Sequence, residues 1–465
     1  MLANQSFFQK FLKIDMKKII PFIFILLVSL SGCMSDEPGL SKEEISGTAA
    51  SLQSSKYRSI EDAIEIASNA TSLLGEGTAV RSRGTGRVVD HLSEIGLIRN
   101  SAKSRNAEDD TLIYVVNYAN NQGYAMIGAS KKAPGLLAVT ESGHYDVEEG
   151  TDIPALEMWI DDIKESLSTL SDGWDEIDTL GIYNPTDRTY EKAEYDTVWA
   201  INRPALVRVA WGQDTKYFNR HTLKYEDCYE GSLYPNKVAG CSNIAISQIL
   251  TYIRRPYTIT LTHDGSHKSI PLDWTKINMY GSLDNEHLTY HPDGIGTETF
   301  DVIANLVREI GYRSQSFCKG QSTSTKISQA YSTLKYLGLP HSDAIILVKG
   351  GSSQWVQQLT ENECVLYVYG GTSADPNNGH SWVCDGLLKF KIRCRYYQGT
   401  KTSSGVVNWE LVNTDDDYVP EASYLHMNWG WRHLHDGYFI STRCCMPAAN
   451  TSNYAANNYF ITLRR

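Results

Sequence analysis

A glycine followed at once by a cysteine opens the run Gly240-Cys241-Ser242-Asn243-Ile244-Ala245-Ile246-Ser247-Gln248-Ile249-Leu250, whose apolar residues keep helical spacing to about Arg255. A chain built this way has to set a thiol on the first turn of a helix, with the glycine making the turn that enters it. The unpaired backbone N–H groups and the macrodipole put partial positive charge at that point, which lowers a cysteine pKa from about 8.5 toward neutrality. Taken alone, such a cysteine reads as a small buried hydrophobe, because free Cys is among the most buried residue types.

Two later segments change that reading. Gly379-His380-Ser381-Trp382-Val383-Cys384-Asp385-Gly386 supplies a histidine, and His426-Met427-Asn428-Trp429-Gly430-Trp431 an asparagine. A nucleophilic cysteine needs a base for its proton, and the base needs a third group to fix its tautomer and ring orientation. The order Cys241, His380, Asn428 provides all three, and His380 falls within the spacing of about 130–150 residues known for papain-like enzymes.

With these residues in view, the chain resembles the streptopain family of papain-like cysteine peptidases. Four segments carry the resemblance: Trp211-Gly212-Gln213; Gly240-Cys241 with Ala245, Gln248, Ile249, Leu250 and Tyr252; Gly379-His380 with Val383, Asp385 and Gly386; and Asn428-Trp429-Gly430-Trp431 with Asp436-Gly437-Tyr438-Phe439. The resemblance implies Cys241 as nucleophile, His380 as general base and then acid, and Asn428 as the group orienting the imidazole. It implies that the Gln213 side chain and the Cys241 N–H form an oxyanion hole. It further implies that Trp429 covers the His–Asn hydrogen bond and that Trp429 and Trp431 belong to the substrate cleft. Two departures stand out. Ser381 and bulky Trp382 follow the base where small and then aliphatic or aromatic residues are expected, and Arg432-His433-Leu434-His435 replaces a more glycine-rich turn.

A charged and polar lead precedes Met16-Lys17-Lys18, the expected start, and an apolar run follows from Ile19 to Leu30. A basic n-region and a short apolar core make a secretory signal, too short for a spanning helix of about 20 residues. It ends in Leu30-Ser31-Gly32-Cys33, which resembles the lipobox of bacterial lipoproteins, so residues 1–32 are expected to be removed and Cys33 acylated. Several acyl chains give stable anchoring. Asp36 and Glu37 in the tether 33–58 resemble a surface-export signal, and the expected location is the outer membrane or cell surface, with release of the mature enzyme as an option. A net charge of −11, with no dense Lys/Arg cluster, argues against a nucleic-acid partner. Nine cysteines, less the lipid site and the proposed nucleophile, leave an odd number, and no disulfide framework is expected.

The rest divides near residue 190. Ser59-Ile60-Glu61-Asp62 opens a helix with a capping-box pattern, Arg81 to Asp110 reads as a mobile loop, Leu112–Tyr118 and Gly123–Gly128 read as strands, and a helix covers about Ile153 to Leu170. The segment Tyr114 to Gly143 is similar to the pro-domain of streptopain-like zymogens, implying that residues 59–190 are the chain's own inhibitor, the alternative being an accessory binding domain; Tyr183 to Asp196 reads as a polar connector open to activation cleavage. In 191–465, helical patterns at Glu298–Ile310 and Lys326–Leu337 give way after Cys364 to strands at Cys364–Tyr369, Ser381–Phe390, Val406–Val412, Tyr424–Asn428, Gly437–Ser441 and Tyr459–Leu463. The expected fold is α+β: a papain-like two-lobe catalytic domain, helical lobe plus antiparallel sheet, behind a smaller α+β pro-domain.

The function expected is proteolysis of proteins or peptides, with no cofactor and no metal, since neither His-Glu-x-x-His nor a paired Cys-x-x-Cys occurs and His433 and His435 read as a solvated turn. The rival is a catalytically silent binding lipoprotein on a peptidase-like scaffold, which ten Trp residues would suit. Retention of Cys, His, Asn and the upstream Gln together favours the enzyme.

Overall fold

The computed structural model describes residues 57–74, 87–96, 111–130, 133–168, 182–184, 189–213, 239–262, 265–281, 297–319, 322–337, 345–349, 351–371, 379–401, 407–441 and 459–464. The signal segment, Cys33 and most of the tether lie outside them.

The N-terminal part comprises α1 (Ile60–Ala70), β1 (Val89–Gly96), β2 (Thr111–Tyr118), β3 (Tyr124–Gly128), β4 (Leu136–Thr140) and α2 (Pro154–Ser168). α1 starts where its sequence dictates: Ser59 Oγ accepts from the Asp62 N–H and the Asp62 carboxylate accepts from the Ser59 N–H, both at 3.1 Å. β1 forms inside the stretch expected to be a mobile loop. Its polar sequence carries no strong alternation, and antiparallel pairing with β2 decides its conformation.

A second correction concerns the connector. β5 (Ile182–Asn184) and β6 (Thr189–Arg203) pair with each other, and β6 runs antiparallel to β13 from Tyr190↔Gly399 to Arg203↔Leu387. The described residues of the polar connector, 183–184 and 189–196, are therefore strand, and β6 takes its backbone hydrogen bonds in part from a partner about two hundred residues away that no local pattern reveals. The division at residue 190 falls within β6.

The helical lobe follows: α3 (Cys241–Ile253), the short β7 (Thr258–Thr260) and β8 (Ser269–Pro271), α4 (Trp274–Gly281), α5 (Thr297–Arg313), β9 (Phe317–Lys319), β10 (Ser322–Ser324) and α6 (Ile327–Tyr336). β11 (Ile345–Lys349) and α7 (Ser352–Glu361) lead into β12 (Cys364–Gly371), β13 (Gly379–Lys401), β14 (Val407–Asn428), β15 (Gly437–Ile440) and β16 (Tyr459–Arg464). The two strands expected at 406–412 and 424–428 are one continuous strand with irregularities in its register against β13.

One sheet joins the whole, in the order β1-β2-β3-β4-β15-β14-β13-β12-β16-β11, with β6 and β5 continuing along the same edge of β13 as β12. Its central strands bury both faces, so side chains sort by period two. Cys364, Leu366 and Val368 of β12 join the core that includes the N-terminal part, while Val365, Tyr367 and Tyr369 join the core of the helical lobe. On β13, Trp382 and Cys384 belong to the first core and Val383 to the second. α3 is buried nearly all round, with Ile244, Ala245, Ile246, Ile249 and Leu250 at most 1 % exposed and its polar Ser242, Asn243, Ser247, Gln248 and Thr251 buried as well. The α+β fold class and the helical lobe packed on an antiparallel sheet are as the sequence indicates.

Candidate active site

Two glycines bring the thiol and the imidazole together. Gly240 enters α3 at φ +93°, a conformation L residues rarely adopt, and a Cβ there would meet the Thr323 side chain at 2.9 Å. Gly379 precedes the histidine where a Cβ would lie 2.3 Å from the Gly370 carbonyl oxygen and 2.6 Å from the Tyr369 hydroxyl. Cys241 then stands first on its helix, and His380 near the start of β13.

Cys241 is half-buried and His380 is 4 % exposed. Burial by itself would push the thiol pKa up; the charge and hydrogen bond of His380, with the backbone N–H groups of Ser381 and Ser242, outweigh it and bring the thiol down to about 7. The Ser381 N–H donates to Cys241 Sγ at 3.4 Å. For His380 burial opposes the charged ring, but the Cys241 sulfur and the Trp429 carbonyl prevail and its pKa is raised. Both shifts favour a thiolate beside an imidazolium near neutrality.

Asn428 does not take the place expected for it. His380 Nε2 lies 3.3 Å from the carbonyl oxygen of Trp429, not against the Asn428 side chain. The Asn428 Oδ1 instead accepts from Gln248 Nε2 at 3.0 Å and from the Gly430 N–H at 3.2 Å. It is a clamp on the turn that presents the Trp429 carbonyl, acting on the imidazole at one remove. Gln248, on α3, is the residue whose part in this the sequence did not disclose: its role depends on a contact with a strand 180 positions away. Asn428→Ala should leave the thiol and imidazole in place but loosen that carbonyl. The expected result is a drop in kcat of about 10²-fold, the scale of an ångström-level misplacement, with activity still measurable; an unchanged rate on a peptide substrate would show that the clamp is idle.

Gln213 sits beside this turn, its N–H donating to the Gly430 carbonyl at 3.2 Å and its own carbonyl accepting from Ala239 at 2.8 Å, two residues before Cys241. Gly212 bridges Trp431 across the same strip, and Trp431 is half-buried. Trp429 is 1 % exposed, with its indole N–H donating to the His435 carbonyl at 3.0 Å and its ring 5.5 Å from that of Trp382. Sealed in this way, Trp429 is a packing element and not part of an open cleft. Trp382, noted as a departure, lies nearly parallel to the His380 ring at 16° with centroids 6.4 Å apart, so the larger side chain fills the space beside the imidazole.

The 431–436 turn is partly covered, with its tip at Leu434 exposed and its two histidines held by contacts. Ser142 Oγ donates to the His433 carbonyl at 2.5 Å, His435 Nδ1 lies 3.1 Å from the Tyr124 hydroxyl, and His433 Nδ1 is 2.8 Å from Asp436 Oδ2. Alongside, β4 pairs with β15 at Gly437↔Thr140, Tyr438↔Val139 and Phe439↔Ala138. The N-terminal part thus docks on the segment that directly follows Trp429. Among the described cysteines, Cys241, Cys364 and Cys384 are free.

A helix-borne thiol facing an imidazole on the adjoining sheet defines a cysteine-type peptidase site of papain-like design. Comparison with known proteins agrees: the Peptidase C10 family model matches residues 211–439, and that of the Spi protease inhibitor matches residues 53–167. The chain belongs to the C10, or streptopain, family of cysteine peptidases and carries an inhibitor-type pro-domain. It is 20% identical over 353 residues to the thiol protease/hemagglutinin PrtT of Porphyromonas gingivalis, a match covering 71% of this chain and 34% of that protein, so the chain spans about a third of that relative's length. A solved fragment of Prevotella intermedia prointerpain A aligns over 80% of this chain and 97% of its own, at 17% identity and a TM-score of 0.46.

Proposed function

We propose that this chain is an exported, lipid-anchored endopeptidase that cleaves proteins through a Cys241–His380 thiolate–imidazolium pair and processes itself from a zymogen. The observation that carries the reading is the opposed pair of shifts, thiol down to about 7 and imidazole up. In the proposed cycle Cys241 Sγ attacks the scissile carbonyl carbon. The oxyanion is held by the Cys241 N–H, which has no intrahelical partner at a first-turn position, and by the Gln213 amide, donors of this kind contributing about 3 kcal/mol each. His380 gives its proton to the leaving amine. It then takes one from the water that hydrolyses the thioester, so that the sulfur leaves as the thiolate, the acid product is released and the ring ends as the imidazolium with which it began. The Trp429 carbonyl keeps the imidazole oriented throughout. Trp431, half-buried beside Gln213, is assigned to the substrate-side wall.

The test is incubation of the chain from Lys42 onward with reductant and casein, with and without an irreversible cysteine-protease inhibitor. Inhibitor-sensitive cleavage supports the reading, and absence of both casein cleavage and self-processing leaves the silent binding lipoprotein in its place. The anchor is tested separately. Cys33→Ser removes the sulfur that would carry lipid, and the protein is expected to leave the membrane fraction or to accumulate with its signal uncut; an unchanged distribution with normal processing refutes the anchor alone.

A further inference from the structure

One group of buried side chains beside the site has no part in the chemistry just described. The Tyr367 hydroxyl donates to Ser242 Oγ at 3.0 Å, Ser242 Oγ lies 3.0 Å from Ser381 Oγ, and Ser381 Oγ lies 2.7 Å from the Tyr367 hydroxyl. Exposure is 0 % at Tyr367, 3 % at Ser242 and 1 % at Ser381. Three hydroxyls own three protons and make three contacts, so each can donate once and accept once in a closed cycle: Tyr367 to Ser242, Ser242 to Ser381, Ser381 back to Tyr367. The ring satisfies itself and directs no proton at Cys241.

The positions of its members give it a purpose. Ser242 follows the thiol and Ser381 follows the imidazole, one on the helix of one lobe and the other on β13; Tyr367 comes from β12, whose odd residues face the helical lobe as Val383 of β13 does. The peptide N–H groups of those same two serines point at the Cys241 sulfur, that of Ser381 at 3.4 Å. A buried hydroxyl cycle is stiff, since losing any one member strands the polar atoms of the other two.

We infer that the Ser242–Ser381–Tyr367 ring is a positioning device for catalysis, fixing the two peptide N–H groups that hold the Cys241 thiolate and the spacing between the lobes at the thiol and imidazole. It rests on the reading of Cys241 as nucleophile and deepens it. The serines and the tyrosine touch no reacting atom through their hydroxyls; they act through the backbone to which they are tied.

The experiment follows alkylation of Cys241 by iodoacetamide across pH in the full-length chain, read by mass spectrometry of the Cys241 peptide, together with kcat and KM after self-processing. Tyr367→Phe opens the ring; the triple variant Ser242→Ala, Ser381→Ala, Tyr367→Phe removes it without stranding a hydroxyl and serves where the single change disturbs folding. In both, the alkylation midpoint is expected to rise by about half a pH unit or more and kcat to fall about tenfold, the size of one net hydrogen bond, with KM little changed. Ser242→Ala with Ser381→Ala, retaining Tyr367, should behave like the triple variant. A midpoint and kcat that stay at the wild-type values in a folded triple variant overturn the positioning role. A wild-type midpoint near that of an ordinary thiol would instead overturn the thiolate reading on which it rests, so the two failures are distinguishable.

Discussion

Cys241→Ala is expected to abolish proteolysis while leaving the fold intact, and His380→Ala to be nearly as damaging. Members of one catalytic unit are not additive, so each single change and the double change should all lower kcat by roughly 10⁴-fold or more. The pH behaviour separates the two roles. In the wild type the thiol titrates near 7 because the charge and hydrogen bond of His380, helped by two peptide N–H groups, outweigh burial. His380→Ala removes the chief counterweight and leaves burial in force, so the midpoint for alkylation of Cys241 must move up, well away from 7. A midpoint unmoved by His380→Ala would mean that the imidazole does not pair with the sulfur. Cleavage by Cys241→Ala at the wild-type rate would remove the mechanism.

The second large effect lies at the seam between pro-domain and enzyme. Glu141, at the end of β4, puts Oε1 3.4 Å from His426 Nε2, and His426 Nδ1 is 2.7 Å from Asp385 Oδ1. The other Asp385 oxygen accepts the N–H groups of Leu206 at 2.9 Å and Val207 at 2.7 Å. Burial disfavours the charged His426, yet Asp385 and Glu141 raise its pKa well above the usual value. Burial likewise opposes the Glu141 carboxylate, but His426, then His433 and Arg87, hold its pKa below the ordinary value. The signs follow. A raised histidine contributes stability in full below its unfolded pKa of about 6.5 and loses it as pH climbs through the raised value; a depressed carboxylate contributes above its unfolded pKa of about 4.3 and loses it as pH falls through the lowered one. The contact is therefore strongest around neutrality and fails on the acid side when Glu141 takes a proton.

Glu141→Gln should mimic that acid state at pH 7. His426 keeps Asp385 as its nearer partner, so losing the Glu141 charge costs about 1–3 kcal/mol, which is roughly five- to a hundredfold in the equilibrium for pro-domain release. Faster self-processing of the full-length chain, and higher activity of the precursor before processing, are the expected results. The wild type should approach the same behaviour as the pH falls below the ordinary carboxylate range, whereas the variant should have lost most of this acid response. Processing rates that match at pH 7 would show that the pair does not hold the pro-domain on.

The site was legible where function is written into side chains. Gly240-Cys241 before an apolar-periodic run, and Gly379-His380 before a strand, are chemically distinctive and locally encoded, and the capped start at Ser59 is equally local. What escaped was written in backbone. The group facing the imidazole is a carbonyl, which every residue possesses, so Asn428 drew attention that belongs in part to Trp429. The strand that begins at Thr189 escaped for a related reason: polar residues paired through main-chain hydrogen bonds to a distant strand look, in sequence, like any exposed linker. Trp382 was recognised as unusual, but only packing shows that it fills the face of the imidazole. His433 and His435 look solvated until the pro-domain is laid over them.

The pairing of β4 with β15 has a further consequence for the mature enzyme. At Gly437 a Cβ would lie 2.3 Å from the Val139 carbonyl oxygen, so the two backbones meet with no side chain between them, and the Glu141 N–H extends the seam to the Asp436 carbonyl at 2.7 Å. Departure of the pro-domain uncovers a strip of main chain from Asp436 to Phe439 whose donors and acceptors must turn to water or to another extended segment. In the proposed activation, then, losing the pro-domain would do more than free a catalytic pair: it would convert an interior strand into a border open to pairing with another extended segment.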